Sequence, residues 1–595
     1  MGGKASQPRR TPGRAAQPSG PVQRHYLSLN GYPVRIALLG LSLLLQSLIF
    51  PPIDLWPLAF VCLVPWFVAT AVGQNATVAY ISSYLLGLAF WLVNLRWLGL
   101  VTVEGFVALS AYLAIYFPLV ACPLRHAVRR RGLPLALIAP VAWVAAERCQ
   151  SMGLLGFPWF FMGHTQYKML TLIQISDLGG AYAVSFVVVA INGAVADFIL
   201  GRWKLELGPG RRVDRSKWAG PIIAACLLIP AIAYGQFQLR RDTQSPGPRV
   251  AVLQQDYPSY TDAELNANQP NAFERAAAYS ALLQEASQDD PDLYLLPETP
   301  WSMALNPEIE ALPDGWMKSI SKQSLAMLGG HAHRYGAYVV SGGMSIIPTP
   351  LSLRSQDVKH NSAFVFAPDE ELPGRYDKIR CVPLGEQVPF RFSRLRFLYL
   401  WLDEQMPFHA EGYEYSLTPG TEYRTFSMNA KSEPGRSFWF AVPICYEDVT
   451  PYICRHFVTN PETKQKQVDF LLNISNDGWF LHSDELPQHL AICAFRAVEN
   501  RVPIARAVNT GISGFIDSNG RIHDLVTRDG RHLGPGISGY AVARLEIDSR
   551  HSLYSRVGDK FALFCGLLSL LIYVDYFGVR ALGSRRGAVE TEQAR

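Results

Sequence analysis

Three predicted strand ends in this sequence carry residues that could perform covalent chemistry. The first strand, residues 293–296, leads into Glu298 and Trp301. A carboxylate that follows an apolar strand and lies beside an indole is partly desolvated, which raises its pKa and suits it to proton transfer. Most carboxylates in such positions are caps or ion-pair partners, so Glu298 predicts little on its own.

The second strand end carries closely spaced charges. Asp377, Lys378 and Arg380 lie within the sequence Y-D-K-I-R, and Glu386 follows shortly after. A lysine near a thiol or a developing oxyanion supplies a fixed positive charge, and a second carboxylate could orient it. An isolated charged run of this kind is more often a solvated turn, so the interpretation requires a nucleophile nearby.

Cys445 is the strongest candidate nucleophile. It follows the apolar residues 438–444 and is followed at once by Tyr446 and Glu447. A cysteine at the end of an apolar strand is ordinarily a small core residue, but the abrupt change in polarity favours a thiol that faces a polar cleft. We predict that Lys378 lowers the pKa of this thiol, that Cys445 attacks as a thiolate, and that backbone N–H groups after the strand receive the oxyanion.

The other cysteines are weaker candidates. Cys381 lies three residues after Lys378, Cys493 lies on a predicted helix, and Cys454 precedes His456 by two residues, a spacing that separates side chains on a helix. The remaining cysteines lie in or beside apolar stretches and are Cys62, Cys122, Cys149, Cys226 and Cys565. Nine cysteines without a C-x-x-C pair argue against a disulfide framework and a structural zinc. We expect no metal and no cofactor.

The candidate residues belong to a region, residues 245–558, in which apolar runs alternate with polar helical stretches. The apolar runs are residues 249–254, 293–296, 337–341, 362–367, 438–444 and 468–474. The helical stretches are residues 272–288, 318–335 and 488–500. Because continuous apolar strands suit sheets that are covered on both faces, the pattern predicts an α/β sandwich.

Eight apolar stretches of near-membrane length lie outside this region. They are residues 34–50, 54–73, 78–97, 106–124, 133–148, 181–200, 218–236 and 560–578. A helix needs about 20 apolar residues to cross a bilayer, and the fifth stretch is short. Seven such stretches in succession exceed what a soluble domain of about 200 residues could bury. We therefore predict a polytopic membrane domain of seven helices over residues 34–236 and an eighth span at residues 560–578.

Basic residues predict the orientation, because lysine and arginine are retained on the cytoplasmic side of short loops. They concentrate before residue 34, at residues 125–131, at residues 202–217 and after residue 579, which are alternate loops. Both termini are therefore predicted to be cytoplasmic and residues 245–558 extracytoplasmic. The termini are predicted to be tails, residues 1–33 and 579–595, and the first is rich in proline, glycine and arginine and is expected to be disordered.

The composition agrees with two unlike parts. Hydrophobic residues make up 49% of the 595 residues and charged residues 17%, too apolar for a soluble enzyme and too polar for a fully embedded transporter. The net charge is +5, and the tail alone carries five bases and no acid. The remainder is close to neutral, which argues against nucleic acid as a partner.

The motifs resemble a known superfamily. Glu298 in L-P-E-T, Lys378 in Y-D-K-I-R and Cys445 in I-C-Y-E resemble the Glu-Lys-Cys triad of the nitrilase superfamily, whose domains are αββα sandwiches. Residues 473–480, 488–489, 496–500 and 506–513 extend the match. A nitrilase-like domain between seven N-terminal spans and one C-terminal span resembles the apolipoprotein N-acyltransferase family. The long tail and the polar insert around residues 354–359 depart from the family outline without touching the triad.

That resemblance implies an activity. Cys445 would take an acyl chain from a phospholipid, typically phosphatidylethanolamine, and form a thioester. The α-amine of the diacylglyceryl cysteine of an apolipoprotein would then attack this thioester and become an amide. Glu298 would act as the general base, and Lys378 would stabilise the thiolate and the oxyanion. The implied location is the bacterial inner membrane, with a monomeric enzyme whose catalytic domain lies on the periplasmic side.

The resemblance also implies four supporting residues. Glu386 would position Lys378, and the backbone amide of Tyr446 would complete the oxyanion hole. Glu447 would be a second carboxylate behind the nucleophile, and Trp479 would form a wall of the acyl site.

Two other functions remain open from the residues alone. A membrane-tethered amidase could use the same triad, but it would use water as the second acceptor and would not need eight spans. A transporter or lipid-binding protein could carry a catalytically inactive outer domain, which would be favoured if Lys378 and Cys445 could be replaced without loss of function.

Overall fold

The structure is a computed structural model of the chain. It describes residues 2, 31–72, 75–153, 155–202, 206–208, 211–212, 217–260, 265, 268–300, 303–311, 314–347, 358–369, 374–391, 393–406 and 416–593. Nearly all of the predicted N-terminal tail, Trp301 and most of the polar insert therefore lie outside the described residues.

The N-terminal part is a bundle of helices. They are α1 (Tyr32–Leu48), α2 (Val64–Val72), α3 (Ala76–Asn94), α4 (Val103–Ala114), α5 (Tyr116–His126), α6 (Leu135–Gln150), α7 (Leu170–Ile173), α8 (Ser176–Gly179), α9 (Ala181–Arg202) and α10 (Ala219–Leu239). A hairpin of β1 (Glu206–Gly208) and β2 (Arg211–Arg212) separates the last two. Large apolar side chains such as Ile36, Leu44 and Ile229 remain exposed on the bundle, as expected of a surface that faces lipid.

Among the described residues, five helical segments are long and apolar enough to cross a membrane. They are Ala76–Asn94, Val103–Arg131, Ala181–Arg202, Ala219–Leu239 and Lys560–Val579. Two shorter apolar segments, Tyr32–Leu48 and Trp56–Val72, coincide with the first two predicted spans. The fifth predicted span corresponds to α6, which has 16 residues and contains Pro140. The membrane part is thus supported, while the count of eight spans stays a prediction.

Two six-stranded sheets form the α/β part. The first contains, in spatial order, β14 (Gly539–Asp548), β3 (Gln244–Gln254), β4 (Leu293–Leu295), β5 (Tyr338–Ile347), β6 (Val358–Phe366) and β7 (Gly374–Asp377). The second contains β13 (Ile522–His523), β12 (Gly514–Ile516), β11 (Ile504–Asn509), β10 (Phe470–Asn476), β9 (Ser437–Ala441) and β8 (Phe426–Asn429). Three central strands of each sheet run parallel, so their carboxyl ends share one edge.

The side chains of β3 show how the layers are arranged. Val250 and Val252 pack in one apolar cluster with residues of the second sheet, whereas Ala251 and Leu253 pack with helices on the opposite face. The helices of this part are α11 (Ala272–Ala286), α12 (Trp316–Tyr335), α13 (Arg396–Glu404), α14 (Pro451–Val458), α15 (Glu485–Asn500) and α16 (Leu553–Val557). Helix α17 (Lys560–Gln593) returns the chain to the bundle, where it packs on α5 and α6. The predicted α/β sandwich is confirmed as a sheet-rich α/β domain.

Helix α15 belongs to both parts of the molecule. Its residues Ile492, Phe495 and Val498 pack in the apolar core of the bundle, whereas Cys493 and Ala497 pack in the core between the sheets. Fifteen of the sixteen residues of α15 are buried, the exception being Pro487. The bundle and the α/β part therefore share a helix, which fixes the active-site edge of the sheets relative to the bundle.

Candidate active site

Lys378 lies between two carboxylates at the end of β7. Its Nζ atom is 3.1 Å from Oε1 of Glu298 and 2.9 Å from the carboxylate of Glu386. Glu298 follows β4, and Lys378 is almost completely buried. Burial alone would lower the pKa of Lys378, but Glu298 and Glu386 raise it well above its ordinary value. The ammonium group therefore stays charged at neutral pH.

Asn361 completes this group of charges, which we name the Lys378 cluster: Lys378, Glu298, Glu386 and Asn361. The Nδ2 atom of Asn361 lies 2.5 Å from Oε1 of Glu298 and 2.8 Å from Oε1 of Glu386. The backbone carbonyl oxygen of Asn361 accepts a hydrogen bond from the backbone N–H of Lys378. Sequence reasoning missed this residue. Its amide lies just before the apolar run of residues 363–366 in strand β6, and a polar side chain at the start of such a run was the signal that could have found it.

Cys445 begins a short 3₁₀ turn, Cys445–Glu447, just beyond β9. Its φ of 49° lies in the left-handed region, which costs a non-glycine residue about 1–3 kcal/mol and persists only where the surroundings enforce it. The thiol is half-buried and lies close enough to Lys378 and Glu298 to feel both charges. The structure therefore brings the three predicted triad residues into one site.

Glu447 connects the nucleophile to the lysine loop. Its Oε1 atom accepts hydrogen bonds from the hydroxyl of Tyr376 at 2.7 Å and from the backbone N–H groups of Ile379 and Arg380 at 2.8 and 3.0 Å. Its Oε2 atom accepts the N–H of Ile444 at 2.9 Å. One buried carboxylate thus fixes the segments that follow Lys378 and precede Cys445.

The pKa of Cys445 differs from the sequence-based prediction. Burial raises the pKa of the thiol, and the nearby carboxylate of Glu298 raises it further. Lys378 and His489 act in the opposite direction without cancelling these two effects. The prediction that Lys378 depresses this pKa below its ordinary value was wrong, because it ignored desolvation and the negative charge beside the lysine. The resting Cys445 thiol is therefore neutral and would need a base in order to act as a nucleophile.

The other candidate cysteines are more deeply buried. Cys381, Cys454 and Cys493 have between 0 and 4% of their surface exposed, and burial raises the pKa of each thiol. Among these three and Cys445, only Cys445 is partly exposed. The geometry favours Cys445 as the reactive thiol.

Tyr446 anchors the nucleophile turn on the bundle. Its hydroxyl donates to the carbonyl of Gly156 at 2.6 Å, and Arg380 of the lysine loop donates to the carbonyl of Gly153 at 2.8 Å. Both carbonyls belong to the loop that follows α6. Trp479 lies in the turn after β10 and is 38% exposed. The active site therefore contacts the membrane bundle directly.

A second buried group of charges lies beside the nucleophile, and we name it the His489 cluster: His489, Asp448, Asp477, Glu485 and Arg506. His489 is 2.7 Å from Asp448, 3.1 Å from Asp477 and 3.3 Å from Glu485. Arg506 pairs with Asp448 at 2.6 Å and with Asp477 at 3.0 Å. Sequence reasoning noted several of these residues as motif matches but assigned them no role.

Three side chains of this cluster lie close enough together to hold a cation: Asp477, Glu485 and His489. Arg506 already donates to Asp477, and both ring nitrogens of His489 face carboxylates. The protein itself therefore supplies the positive charge of the cluster.

Comparison with known proteins identifies the two parts. Residues 42–194 match the family model described as the apolipoprotein N-acyltransferase N-terminal domain. Residues 249–532 match the model described as carbon-nitrogen hydrolase. The chain is thus a membrane protein that carries a carbon-nitrogen hydrolase domain next to an apolar helical bundle.

Similar proteins agree with these two matches. The chain is 28% identical over 541 residues to the apolipoprotein N-acyltransferase of Geobacter metallireducens, covering 88% of this chain and 92% of that protein. It is 29% identical over 492 residues to the apolipoprotein N-acyltransferase of Caulobacter vibrioides, covering 81 and 82%. The chain is therefore similar over most of its length to proteins named apolipoprotein N-acyltransferase, and together with the carbon-nitrogen hydrolase match this indicates an enzyme of this type.

Two solved structures are similar in part. A CN-hydrolase superfamily protein from Xanthomonas campestris is 18% identical with a TM-score of 0.32 and covers 51% of this chain and 91% of its own. An amidase from Nesterenkonia sp. is 15% identical with a TM-score of 0.33 and covers 54% of this chain and 97% of its own.

Proposed function

We propose that this protein transfers a fatty acyl chain from a phospholipid to the N-terminal α-amine of diacylglyceryl apolipoproteins, with a thioester on Cys445 as the intermediate. The observation that carries the proposal is the position of Lys378, which lies 3.1 Å from Glu298 in a buried site that also contains Cys445. The names and extents of the similar proteins support lipoprotein N-acylation as the reaction.

In the first half-reaction, Glu298 takes the proton of the Cys445 thiol, and the thiolate attacks the ester carbonyl of the phospholipid. The negative charge that develops on the carbonyl oxygen is stabilised by the Lys378 ammonium and by the backbone N–H of Tyr446. The C–O bond of the ester then breaks, and the leaving alkoxide takes the proton from Glu298 as a lysophospholipid departs. The raised pKa of Cys445 makes the base necessary.

In the second half-reaction, the α-amine of the lipoprotein attacks the thioester carbonyl, and Glu298 takes the amine proton. The C–S bond breaks, the proton returns to the sulfur of Cys445, and an amide forms. A thioester lets two insoluble substrates react in turn at one site. Glu386 holds Lys378 in position through both steps, and Glu447 holds the two loops together.

The site also fits a reaction at a membrane surface. Tyr446 and Arg380 bond the catalytic loops to carbonyls of the bundle, which keeps the thiol at the edge of the apolar helices. The exposed indole of Trp479 supplies an apolar wall for an acyl chain. We propose phosphatidylethanolamine as the donor, a monomeric enzyme in the bacterial inner membrane, and a periplasmic catalytic domain.

The proposed domain organisation follows the same scheme. The membrane domain covers residues 34–236, the catalytic domain residues 245–558 and the last span residues 560–578. The tails, residues 1–33 and 579–595, are cytoplasmic.

Labelled phospholipid tests the proposal. The purified full chain is incubated with phosphatidylethanolamine that carries a labelled acyl chain, and a hydroxylamine-sensitive label is mapped to a peptide. We expect the label on Cys445, none in Cys445→Ala, and normal labelling in the matched control Cys381→Ala. Label that persists in Cys445→Ala would remove this thiol from the mechanism.

A chase tests the acceptor. We expect a diacylglyceryl lipopeptide with a free α-amine to discharge the labelled enzyme and to recover the acyl chain as an amide. Discharge to free fatty acid at the same rate with and without the lipopeptide would instead indicate a hydrolase.

A further inference from the structure

Two sources of positive charge act on the Cys445 thiol. Lys378 lies in the predicted triad, whereas His489 lies on α15, a helix that the triad does not include. Both lower the pKa of Cys445, while Glu298 and Asp477 raise it. His489 therefore acts on the Cys445 thiol from outside the triad, at a position that the sequence comparison noted only as part of a motif.

His489 is held in its charged form by its neighbours. Burial would lower the pKa of His489, but Asp448 and Asp477 raise it well above its ordinary value. Glu485 faces the same ring nitrogen as Asp477. The other groups that face the cluster are Arg506, which opposes the charge on His489, and the thiol of Cys493, which interacts with Asp448. The ring of Trp159 lies 5.6 Å from the imidazole.

Gln488, the residue before His489, is hydrogen-bonded to the membrane bundle. The Oε1 atom of Gln488 accepts hydrogen bonds from the indole N–H groups of Trp97 and Trp159, both at 3.1 Å. Its Nε2 atom donates to the carbonyl of Pro51 at 3.0 Å. These contacts are buried and come from three separate loops of the bundle. An amide that satisfies three partners in this way fixes the start of α15.

We propose that His489 is a positioning residue for Cys445, seated by the bundle through Gln488 and holding a fixed positive charge beside the thiol. The proposal rests on the nucleophile assigned in the proposed function. Its consequence is that the reactivity of the thiol depends on the contact between the α/β part and the membrane helices. A catalytic domain that loosened from the bundle would move Gln488, displace His489 and leave the thiol harder to ionise.

Alkylation of Cys445 tests the proposal without any lipid. The purified full chain in detergent micelles is treated with iodoacetamide at about pH 8.5, where Glu485, with a pKa of about 7, is ionised. The initial rate of modification of Cys445 is followed by peptide mass spectrometry, with Cys445→Ala as the blank. The rate is proportional to the thiolate fraction, so it falls when a nearby positive charge is removed.

Two substitutions that remove opposite charges from the His489 cluster distinguish an electrostatic effect on the thiol from an effect of packing. His489→Gln removes the positive charge, and we expect the alkylation rate to fall about tenfold, the effect of one unit in the pKa of the thiol. Glu485→Gln removes a negative charge from the same cluster, and we expect the rate to rise about threefold. A rate that is unchanged in His489→Gln, or that falls equally in both variants, would overturn the proposal.

Gln488→Leu tests whether Gln488 holds His489 in position. We expect the alkylation rate to fall at least about threefold, because the indole N–H groups lose their acceptor and α15 shifts. An unchanged rate in Gln488→Leu would overturn the role of the bundle. Each variant is first checked for folding by gel filtration, and if His489→Gln does not fold, the sign of the change in Glu485→Gln decides.

The lipid-labelling experiment tests the proposed function independently of the role of His489. Loss of thioester formation in the unaltered enzyme, with the charge-dependent alkylation intact, would contradict the proposed function and leave the influence of His489 on the thiol standing. Normal thioester formation, with alkylation rates that do not change when the charge of residue 485 or 489 is removed, would contradict the role of His489 and leave the proposed function standing.

Discussion

The Lys378 cluster and the His489 cluster are two buried groups of charges beside the same thiol. They differ in the ratio of cations to carboxylates and in the exposure of their side chains. The first has one cation between two carboxylates, and 19% of the side chain of Glu386 is exposed. The second has two cations among three carboxylates, and its side chains are at most 3% exposed. The Lys378 cluster is therefore open and can exchange protons with its surroundings, whereas the His489 cluster is sealed. We call them the open cluster and the sealed cluster.

This difference indicates which charges change during a reaction. Burial and the nearby negative charge of Glu298 raise the pKa of Cys445 and keep its thiol protonated. In the sealed cluster, His489 and Arg506 are paired with the buried carboxylates of Asp448 and Asp477, so these charges are fixed and contribute position and field. Substitutions in the two clusters should therefore affect different measurements.

The largest effect is expected from Lys378→Met in the open cluster. The substitution removes the only cation between Glu298 and Glu386 and the group proposed to stabilise the oxyanion. We expect the rate of lysophospholipid release to fall about 10³-fold. The rate is measured with purified enzyme and phospholipid vesicles, and a loss of less than threefold would remove Lys378 from the proposed chemistry.

Arg506→Met tests the sealed cluster and should act mainly on stability. It leaves Asp448 and Asp477 with one buried cation fewer, which is expected to cost about 3–5 kcal/mol. The melting temperature of the detergent-solubilised chain should fall markedly. Arg544→Met is the matched control, because Arg544 pairs with Glu433 at the surface and its loss should hardly change the melting temperature. Equal melting temperatures for the two variants would contradict the distinction between the clusters.

Asn361→Leu should have an intermediate effect on the open cluster. The carboxylates of Glu298 and Glu386 each lose a hydrogen bond, worth about 1.5–3 kcal/mol when the acceptor is charged. We expect the acylation rate to fall about 10- to 100-fold, as measured by thioester formation. An increase in rate would show that the amide restrains the base instead of orienting it.

The smallest effect is expected from Asp484→Asn, which breaks an exposed ion pair with Arg96 between the α/β part and the bundle. Such pairs are worth about 0.2–1 kcal/mol and are screened by salt. The melting temperature should fall slightly at low salt and not at all in concentrated salt. A large fall at high salt would mean that this contact, and not the buried seat of α15, holds the two parts together.

Local sequence signals were sufficient for the family resemblance and for three members of the open cluster, Glu298, Lys378 and Glu386. Glu298 and Cys445 each follow an apolar strand, and the carboxyl ends of parallel strands share one edge of a sheet. Lys378 follows β7, a short antiparallel strand, and was found from its charged neighbours instead. The family resemblance is confirmed by both family models. The apolar stretches likewise coincide with helices, although their number as spans is not settled by length alone.

The sealed cluster was harder to predict, because its members come from four separated segments and gain their roles only by contact. His489 is an ordinary residue on a helix until Asp448 and Asp477 surround it. The sign of the shift in the pKa of Cys445 was also missed, since desolvation depends on burial that no motif encodes. Asn361 escaped notice for the same reason.

The helix shared by the two cores limits how this enzyme can be cut. A soluble fragment made by removing the bundle would present Ile492, Phe495 and Val498 to water as a continuous apolar stripe. Such a stripe favours aggregation over a free, active domain. Proteolytic release from the membrane would thus inactivate the protein instead of shedding a working hydrolase.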